Sequence, residues 1–439
     1  MRYRVRYSNK YKSHYMQYEI FPPKNLDCTI NLPASKSISN RALIINALAN
    51  ASETPTNLSH CDDTDVMVAA LRDMPMVINI KAAGTAMRFL TAYLSTREST
   101  HILTGTERMM QRPIHVLVDA LRTLGAEIDY AGNEGYPPLR IKGKTLEGGL
   151  LEIAGNVSSQ YISALLMIGP MMKNGLTLHL TGDIISRPYI DLTMCTMREF
   201  GADIDWEGGN TILVKPTPYQ SKAFTIENDW TAASYWYEIL ALMTKASDNR
   251  ITLPGLMDGS RQGDSAVRYI FSLLGVKTSF DRNNVVLTSH QRALPRFDFD
   301  FTGQPDLAQT VVVTTALMGI PFRFTGLQTL RIKETDRIAA LKTEMAKLGY
   351  MLDDSEEGVL SWDGKLTPRS TEGRLQGKNP SLLREGSVAI DTYEDHRMAM
   401  AFAPACIMFP GLKINNPEVV TKSYPHFWDD LKKAGFEIR

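Results

Sequence analysis

The chain has 439 residues, 44% of them hydrophobic and 22% charged, which suits a globular protein of two or three domains, each with a sizeable core. Lys+Arg and Asp+Glu both number 48, so no global field favours nucleic acid or an acidic membrane surface, and any basic site must be local. Cys28, Cys61, Cys195 and Cys406 stand far apart with no CxxC pair, and no apolar run reaches transmembrane length; this argues against zinc, a disulfide framework or a membrane and points to the reducing cytoplasm.

Residues 1–18, MRYRVRYSNKYKSHYMQY, carry three Arg, two Lys and five Tyr with no acid. Basic residues interleaved with aromatics suit phosphates and stacked bases, so an RNA-binding arm is one reading. With no apolar periodicity to bury, the expectation is a flexible extension whose residues 1–15 are dispensable. LPASKSISNRAL (32–43) follows. Serine and asparagine ahead of an apolar run start a helix, and free N–H groups beside Lys36 and Arg41 make an anion site, although the glycine-rich P-loop is absent.

A pattern then recurs. LRTLGAEIDY (121–130), MREFGADIDW (197–206), FSLLGVKTSF (271–280), MAKLGYMLDD (345–354) and DLKKAGFEIR (430–439) each read as a last helical turn, a glycine just past it and an alternating strand. Gly125, Gly201, Gly275, Gly349 and Gly435 lie 76, 74, 74 and 86 residues apart, and ALRDMPMVINI (70–80) is a degenerate sixth copy. Roughly 40 residues before each copy lies another helix start, from SNRALIINALA (39–49) to DHRMAMAFAPA (395–405). The period is too long for the common solenoids, so six α/β units group more simply as two domains of three.

Five of these helix starts carry ligand-capable residues: Lys36/Ser37/Arg41, Gly84/Thr85/Arg88, Ser158/Ser159/Gln160, Asp306 and Asp395/His396/Arg397. Any one could be mere capping; the same loading at corresponding places in a repeat suits a multiply anionic ligand. RIKETDRIAAL (331–341) adds Lys333, Glu334 and Arg337 ahead of a helix that Thr335 or Asp336 would cap, while Arg108, Arg112 and Lys422 are further cations.

SKSISNRAL, AGTAMRFL, LTGTERMMQRPI, NVSSQYISALL, ISRPYIDLT, RIKETDR, EDHRMAMAFA and TKSYPHFW resemble, in order, the motifs of the EPSP synthase family, from about Ile30 to the C-terminus. The resemblance implies an α/β fold of two globular domains, each of three βαβαββ units, an inverse α/β barrel arrangement with the active site between them. The expected division is 34–254 for one domain and 19–33 plus 255–439 for the other. It also implies transfer of the enolpyruvyl group of phosphoenolpyruvate to the 5-hydroxyl of shikimate 3-phosphate, without cofactor or metal, by a glyphosate target; the expectation is a monomer that binds neither nucleic acid nor membrane.

Carried onto this chain, shikimate 3-phosphate would meet Lys36, Ser37, Arg41, Ser158, Ser159, Gln160, Ser186, Asp306 and Lys333, with Tyr189 under the ring. Phosphoenolpyruvate would meet Lys36, Gly84, Arg112, Gln160, Arg337, Arg397 and Lys422. Asp306 would accept a proton, Glu334 would donate one, and Lys36 and His396 complete the catalytic group. Each substrate brings one carboxylate and one phosphate, about six negative charges together, against seven cations in these sets. Ala34, Ala82, Phe89 and Thr329 depart from the family pattern and bear on inhibitor sensitivity. The sister enzyme acting on UDP-N-acetylglucosamine typically uses a loop cysteine as acid, and the loop near TERMMQRP has none.

Overall fold

The computed structural model describes residues 16–243, 248–282, 284–366 and 388–439, so residues 1–15 of the expected 1–18 extension lie outside the described residues, while Gln17 and Tyr18 belong to the strand Gln17–Phe21. The five repeat glycines all take positive φ, between 85° and 100°, closing a helix as the sequence pattern requires. In the degenerate copy Met74 does the same work at φ 39° after helix Asp62–Asp73.

Five sheets form. Three share one order, in which the first two strands run parallel and the last two fold back antiparallel with the fourth between the second and third, and another sheet repeats the arrangement in space with the chain's first strand in the fourth's place. Val77–Asn79, Thr100–Thr104, Leu139–Lys142 and Glu127–Tyr130 make one; Gly149–Ala154, Leu176–Thr181, Thr211–Val214 and Ile204–Glu207 another. Phe297–Asp300, Phe322–Thr325 and Leu360–Trp362 form a three-stranded version. The remaining two borrow from the start of the chain. Asp27–Thr29 lies parallel to Arg250–Pro254, and Gln17–Phe21 inserts between Leu412–Asn415 and Glu437–Ile438. The unit holding helices Lys36–Leu48 and Asp62–Asp73 has no sheet of its own among the described residues, only the bridges Ala34–Asn228 and Thr56–Thr225.

Burial explains why the barrel is inside out. The first helix of each unit is apolar nearly all round: Gly84–Ser95, Ser159–Ile168, Trp230–Leu242, Ala308–Leu317 and His396–Phe402 are buried almost throughout. The strands alternate, as in Leu176–Thr181, so each sheet keeps one face toward solvent and covers the helices with the other. Two large cores result. One spans Leu43 to Tyr219; the other joins Ile20–Leu32 to Trp230–Phe436.

The expected boundary after residue 254 falls inside the second core. Residues 230–254 were expected with the first domain, yet Trp230–Leu242 packs in the second core and Arg250–Pro254 pairs with Asp27–Thr29 and Asn284–Ala293. The chain crosses at Ile226–Asp229, where Ser35 N donates to the Glu227 carbonyl (2.8 Å) and Asp229 N to that of Pro33 (2.9 Å). A helix buried on nearly every side joins the core that covers it, and Pro254–Gly255 only ends the strand Arg250–Pro254.

Within the second core Glu238 is fully buried and makes no ion pair among the described residues; only the Thr314 hydroxyl opposes the effect of burial. Burial holds its carboxyl well above the usual value, so it folds protonated. The unfolded chain ionises it above its ordinary pKa, so the folded state loses stability as pH rises from there toward the folded value. Glu238→Met is therefore expected to raise Tm by several degrees at about pH 8 and by less at about pH 5. Thermal melts at the two values check this; an equal or negative shift at the higher pH overturns it.

Candidate active site

All six first helices begin at the junction of the two cores. Lys36 opens Lys36–Leu48, whose cap is Ser35: its hydroxyl accepts from Ile38 N. Gly84 opens Gly84–Ser95, Ser158 caps Ser159–Ile168, and Asp229 caps Trp230–Leu242. Asp306 sits in the short turn Pro305–Leu307 just before Ala308–Leu317, and Asp395 caps His396–Phe402. Six positive helix ends around one space favour anions.

At the centre Arg337 binds three carboxylates: Asp306 at 3.3 Å, Glu334 at 2.9 Å and Asp395 at 2.7 Å. Asp306 also pairs with Arg397 at 2.7 Å, and Glu334 with Lys422 at 3.2 Å. Burial alone would push both carboxyls up, but the cations win. Arg397, Lys333 and Arg337 hold Asp306 below its usual range, and Lys422, Arg337 and Arg112 hold Glu334 well below. Asp336 caps Arg337–Lys347 by accepting from Ala339 N, which leaves Lys333 and Glu334 free of that duty.

The first half supplies the facing groups. Lys36 pairs with Asp63 at 3.1 Å; burial opposes its charge most, but Asp63, Cys61 and Glu334 together outweigh it and raise its pKa. The Arg112 guanidinium lies on the helix start at Gly84, where an added Cβ would come within 2.6 Å of its Nη1, so a side chain there would displace the cation from the backbone. Gln160 Nε2 donates to Thr85 at 3.2 Å. Bonds cross between halves: Lys422 Nζ to the Ala82 carbonyl (3.3 Å), Arg108 Nε to the Glu334 carbonyl (3.4 Å), Thr421 to Asp62 (2.7 Å) and Ser186 N to the Thr302 carbonyl (2.9 Å). Because Lys422 uses the Ala82 carbonyl, the side-chain departure at that position leaves the contact intact. A cavity of about 450 Å³ lies here, lined by Arg108, Arg112, Glu334 and Lys422 among others.

Three expected site residues have surroundings that only the structure shows. Arg41 is buried with its fork turned into its own half: Nε donates to Thr193 (2.7 Å), Nη1 to the Ser37 carbonyl (2.9 Å), and Nη2 to Ser163 and the Tyr189 carbonyl (both 3.2 Å). Its carbon Cζ sits 5.4 Å from the Phe89 ring, so the residue departing from the family pattern there supports it. His396 is 1% exposed, and neither ring nitrogen has a hydrogen-bond partner among the described residues. Burial first, then Lys36 and Arg397, lower its pKa well below the usual value, so the ring is neutral. Lys333 is buried beside Asp306 with its pKa lowered by burial. Ser37 and Ser159 occupy first turns of their helices, and Ser186 holds a left-handed φ of 54° where Arg187–Glu199 begins.

Sequence reasoning missed Asp63 and Asp264. Asp63 sits in CDDTD, which reads as ordinary negative charge at a helix start; Asp264 follows a loop of Gly, Ser and Gln with nothing to mark it.

Comparison with known proteins gives one result throughout. The family model "EPSP synthase (3-phosphoshikimate 1-carboxyvinyltransferase)" matches residues 20–79 and 73–431. A 3-phosphoshikimate 1-carboxyvinyltransferase of Bacteroides fragilis is 56% identical over 424 residues, 97% of this chain and 99% of that protein. One from Shewanella halifaxensis is 34% identical, covering 94% and 98%. The solved EPSP synthase of Acinetobacter baumannii superposes with a TM-score of 0.75 at 21% identity, over 96% of this chain and 99% of that one, which shows the fold.

Proposed function

The chain belongs to the EPSP synthase family, and on that footing we propose how its own residues carry the transfer of an enolpyruvyl group from phosphoenolpyruvate to the 5-hydroxyl of shikimate 3-phosphate. The observation that carries the reading is the pair Asp306 and Glu334, two carboxylates clasped by one arginine, each with a second cation of its own. The reaction adds a hydroxyl to C2 of the enol phosphate while C3 gains a proton, then expels phosphate as the C3 proton returns. That needs an acceptor at the hydroxyl and an acid–base group at the methylene, two carboxylates in different surroundings.

Asp306 takes the hydroxyl proton, and Glu334 serves C3. Shikimate 3-phosphate is held by Ser37, Ser158, Ser159, Gln160, Ser186 and Lys333, with Tyr189 under its ring. Arg41 acts through Ser37 and Tyr189, whose carbonyls it holds, rather than by giving its fork to the ligand. Phosphoenolpyruvate lies on Lys36, Gly84, Arg112, Gln160, Arg337, Arg397 and Lys422. Its negative charge replaces the internal carboxylate partners of these cations, and His396 serves as a neutral hydrogen-bonding group.

The two cores act as two domains, roughly 34–226 and 16–33 plus 230–439, which close on shikimate 3-phosphate and so complete the phosphoenolpyruvate site. The chemistry as written needs no metal or cofactor, and every residue assigned comes from one chain, which supports a monomer. The four cysteines are unpaired, which supports a cytoplasmic setting. No helix among the described residues is long and apolar enough to cross a membrane.

Phosphate release from phosphoenolpyruvate tests the reading. It is expected only when shikimate 3-phosphate is present, and small-angle scattering is expected to show a smaller radius of gyration with that ligand. No release with both substrates would overturn the assignment of the site.

A further inference from the structure

Asp264 has no part in the mechanism above, yet it is 3% exposed and faces Asp306 across one tyrosine hydroxyl. Tyr189 Oη lies 3.0 Å from Asp264 Oδ1 and 3.4 Å from Asp306 Oδ2. Tyr189 belongs to the first half, on Arg187–Glu199; both carboxylates belong to the second. We propose that Asp306, Tyr189 and Asp264 form a proton relay, assembled when the halves close, that carries the substrate hydroxyl proton from Asp306 through the Tyr189 hydroxyl to Asp264. This rests on Asp306 being the proton acceptor.

Three features support the direction of transfer. Asp306 is ion-paired to Arg397 and Arg337, so once protonated it is driven to ionise again. Asp264 makes no ion pair among the described residues; its other oxygen accepts from the Thr231 hydroxyl. Its position is fixed, because Glu227 accepts from Met257 N (2.9 Å), Ser260 Oγ (2.7 Å) and Gln262 Nε2 (2.9 Å) in the loop leading to it. Five groups face Asp264: Tyr189, Thr231, Asp229, Asp306 and Arg397. Burial and then the Asp306 charge push Asp264 up to about 6, whereas burial keeps Tyr189 well above the usual phenol range. The phenol therefore never ionises; it gives one proton as it takes another.

The step balances. The substrate O–H bond breaks and an O–H bond forms on Asp306. That proton moves to the Tyr189 oxygen while the Tyr189 proton moves to Asp264. Asp306 is again a carboxylate, Tyr189 is neutral, and Asp264 is a carboxylic acid. Opening withdraws Tyr189, and Asp264 loses its proton to water. Asp264 touches no substrate; it acts through Tyr189.

Because Asp264 must begin ionised, turnover is expected to fall on the acid side of about pH 6. Tyr189→Phe keeps the ring and its packing, and Asp264→Asn keeps the shape. Each is expected to lower kcat about tenfold, with little change in the KM for shikimate 3-phosphate, and to abolish the acid limb. The double variant should be no worse than either single one, since both break the same path. Full turnover with an intact acid limb in Tyr189→Phe would overturn the relay, as would a loss confined to KM or losses that multiply in the double variant. Asp306→Ala is expected to be crippled in every case; an active Asp306→Ala would remove the acceptor assignment itself, a distinct result.

Discussion

Glu334→Ala is expected to lower turnover by roughly 100-fold or more, the usual worth of a positioned acid–base group, and to slow exchange of the C3 hydrogens of phosphoenolpyruvate with solvent deuterium to match. The electrostatics add a sign. In the structure Lys422, Arg337 and Arg112 outweigh burial and keep Glu334 ionised, the wrong state for a proton donor. Those same three cations are the proposed seats of phosphoenolpyruvate. When the substrate anion engages them, their field on Glu334 is neutralised while burial remains, so its pKa rises and it takes up the proton it must give. The pKa governing kcat on the alkaline side should therefore lie above the one the free enzyme shows in kcat/KM. Normal turnover in Glu334→Ala would reduce KETDR to a helix start.

Asp306→Ala is expected to cost at least as much, again roughly 100-fold or more, without loss of the C3 proton donor. Removing Asp306 also strands Arg397 and Arg337 with one partner fewer in a buried site, so phosphoenolpyruvate binding should hold or tighten as its anion replaces the lost charge. Titration with each substrate separates the effects: binding of both should survive while single-turnover chemistry fails. Weakened phosphoenolpyruvate binding with intact chemistry would show that Asp306 orients a ligand and moves no proton.

The repeat glycines and the apolar first helices were legible because each follows from local chemistry: a left-handed residue after a helix, or a helix with no polar face. Lys36, Gly84, Gln160, Asp306 and Arg397 were legible because the repeat placed them at corresponding helix starts. What lay beyond the sequence is pairing in space. Arg41 reads from sequence as a ligand cation; its bonds to Thr193, Ser163 and the Tyr189 carbonyl are visible only in space. Asp264 has no local signature, and only the approach of Tyr189 from the other half gives it a role. The place of residues 230–254 lay beyond the sequence for the same reason. A proline-glycine turn is visible locally; the competition of two cores for Trp230–Leu242 is not.

The strand Gln17–Phe21, which completes the sheet of Leu412–Asn415 and Glu437–Ile438, also sets a timetable for synthesis. Residues 34–226 emerge from the ribosome as one uninterrupted stretch and can fold while translation continues. The other half cannot. Its first two strands are made at the outset and must wait, unpaired, for partners near Arg250 and then for the last residues of the chain. Such long-range pairing is slow and leaves strand edges exposed meanwhile. The early-made half thus becomes the platform beside which the late one closes, and loss of either Gln17–Phe21 or Glu437–Ile438 damages the same sheet.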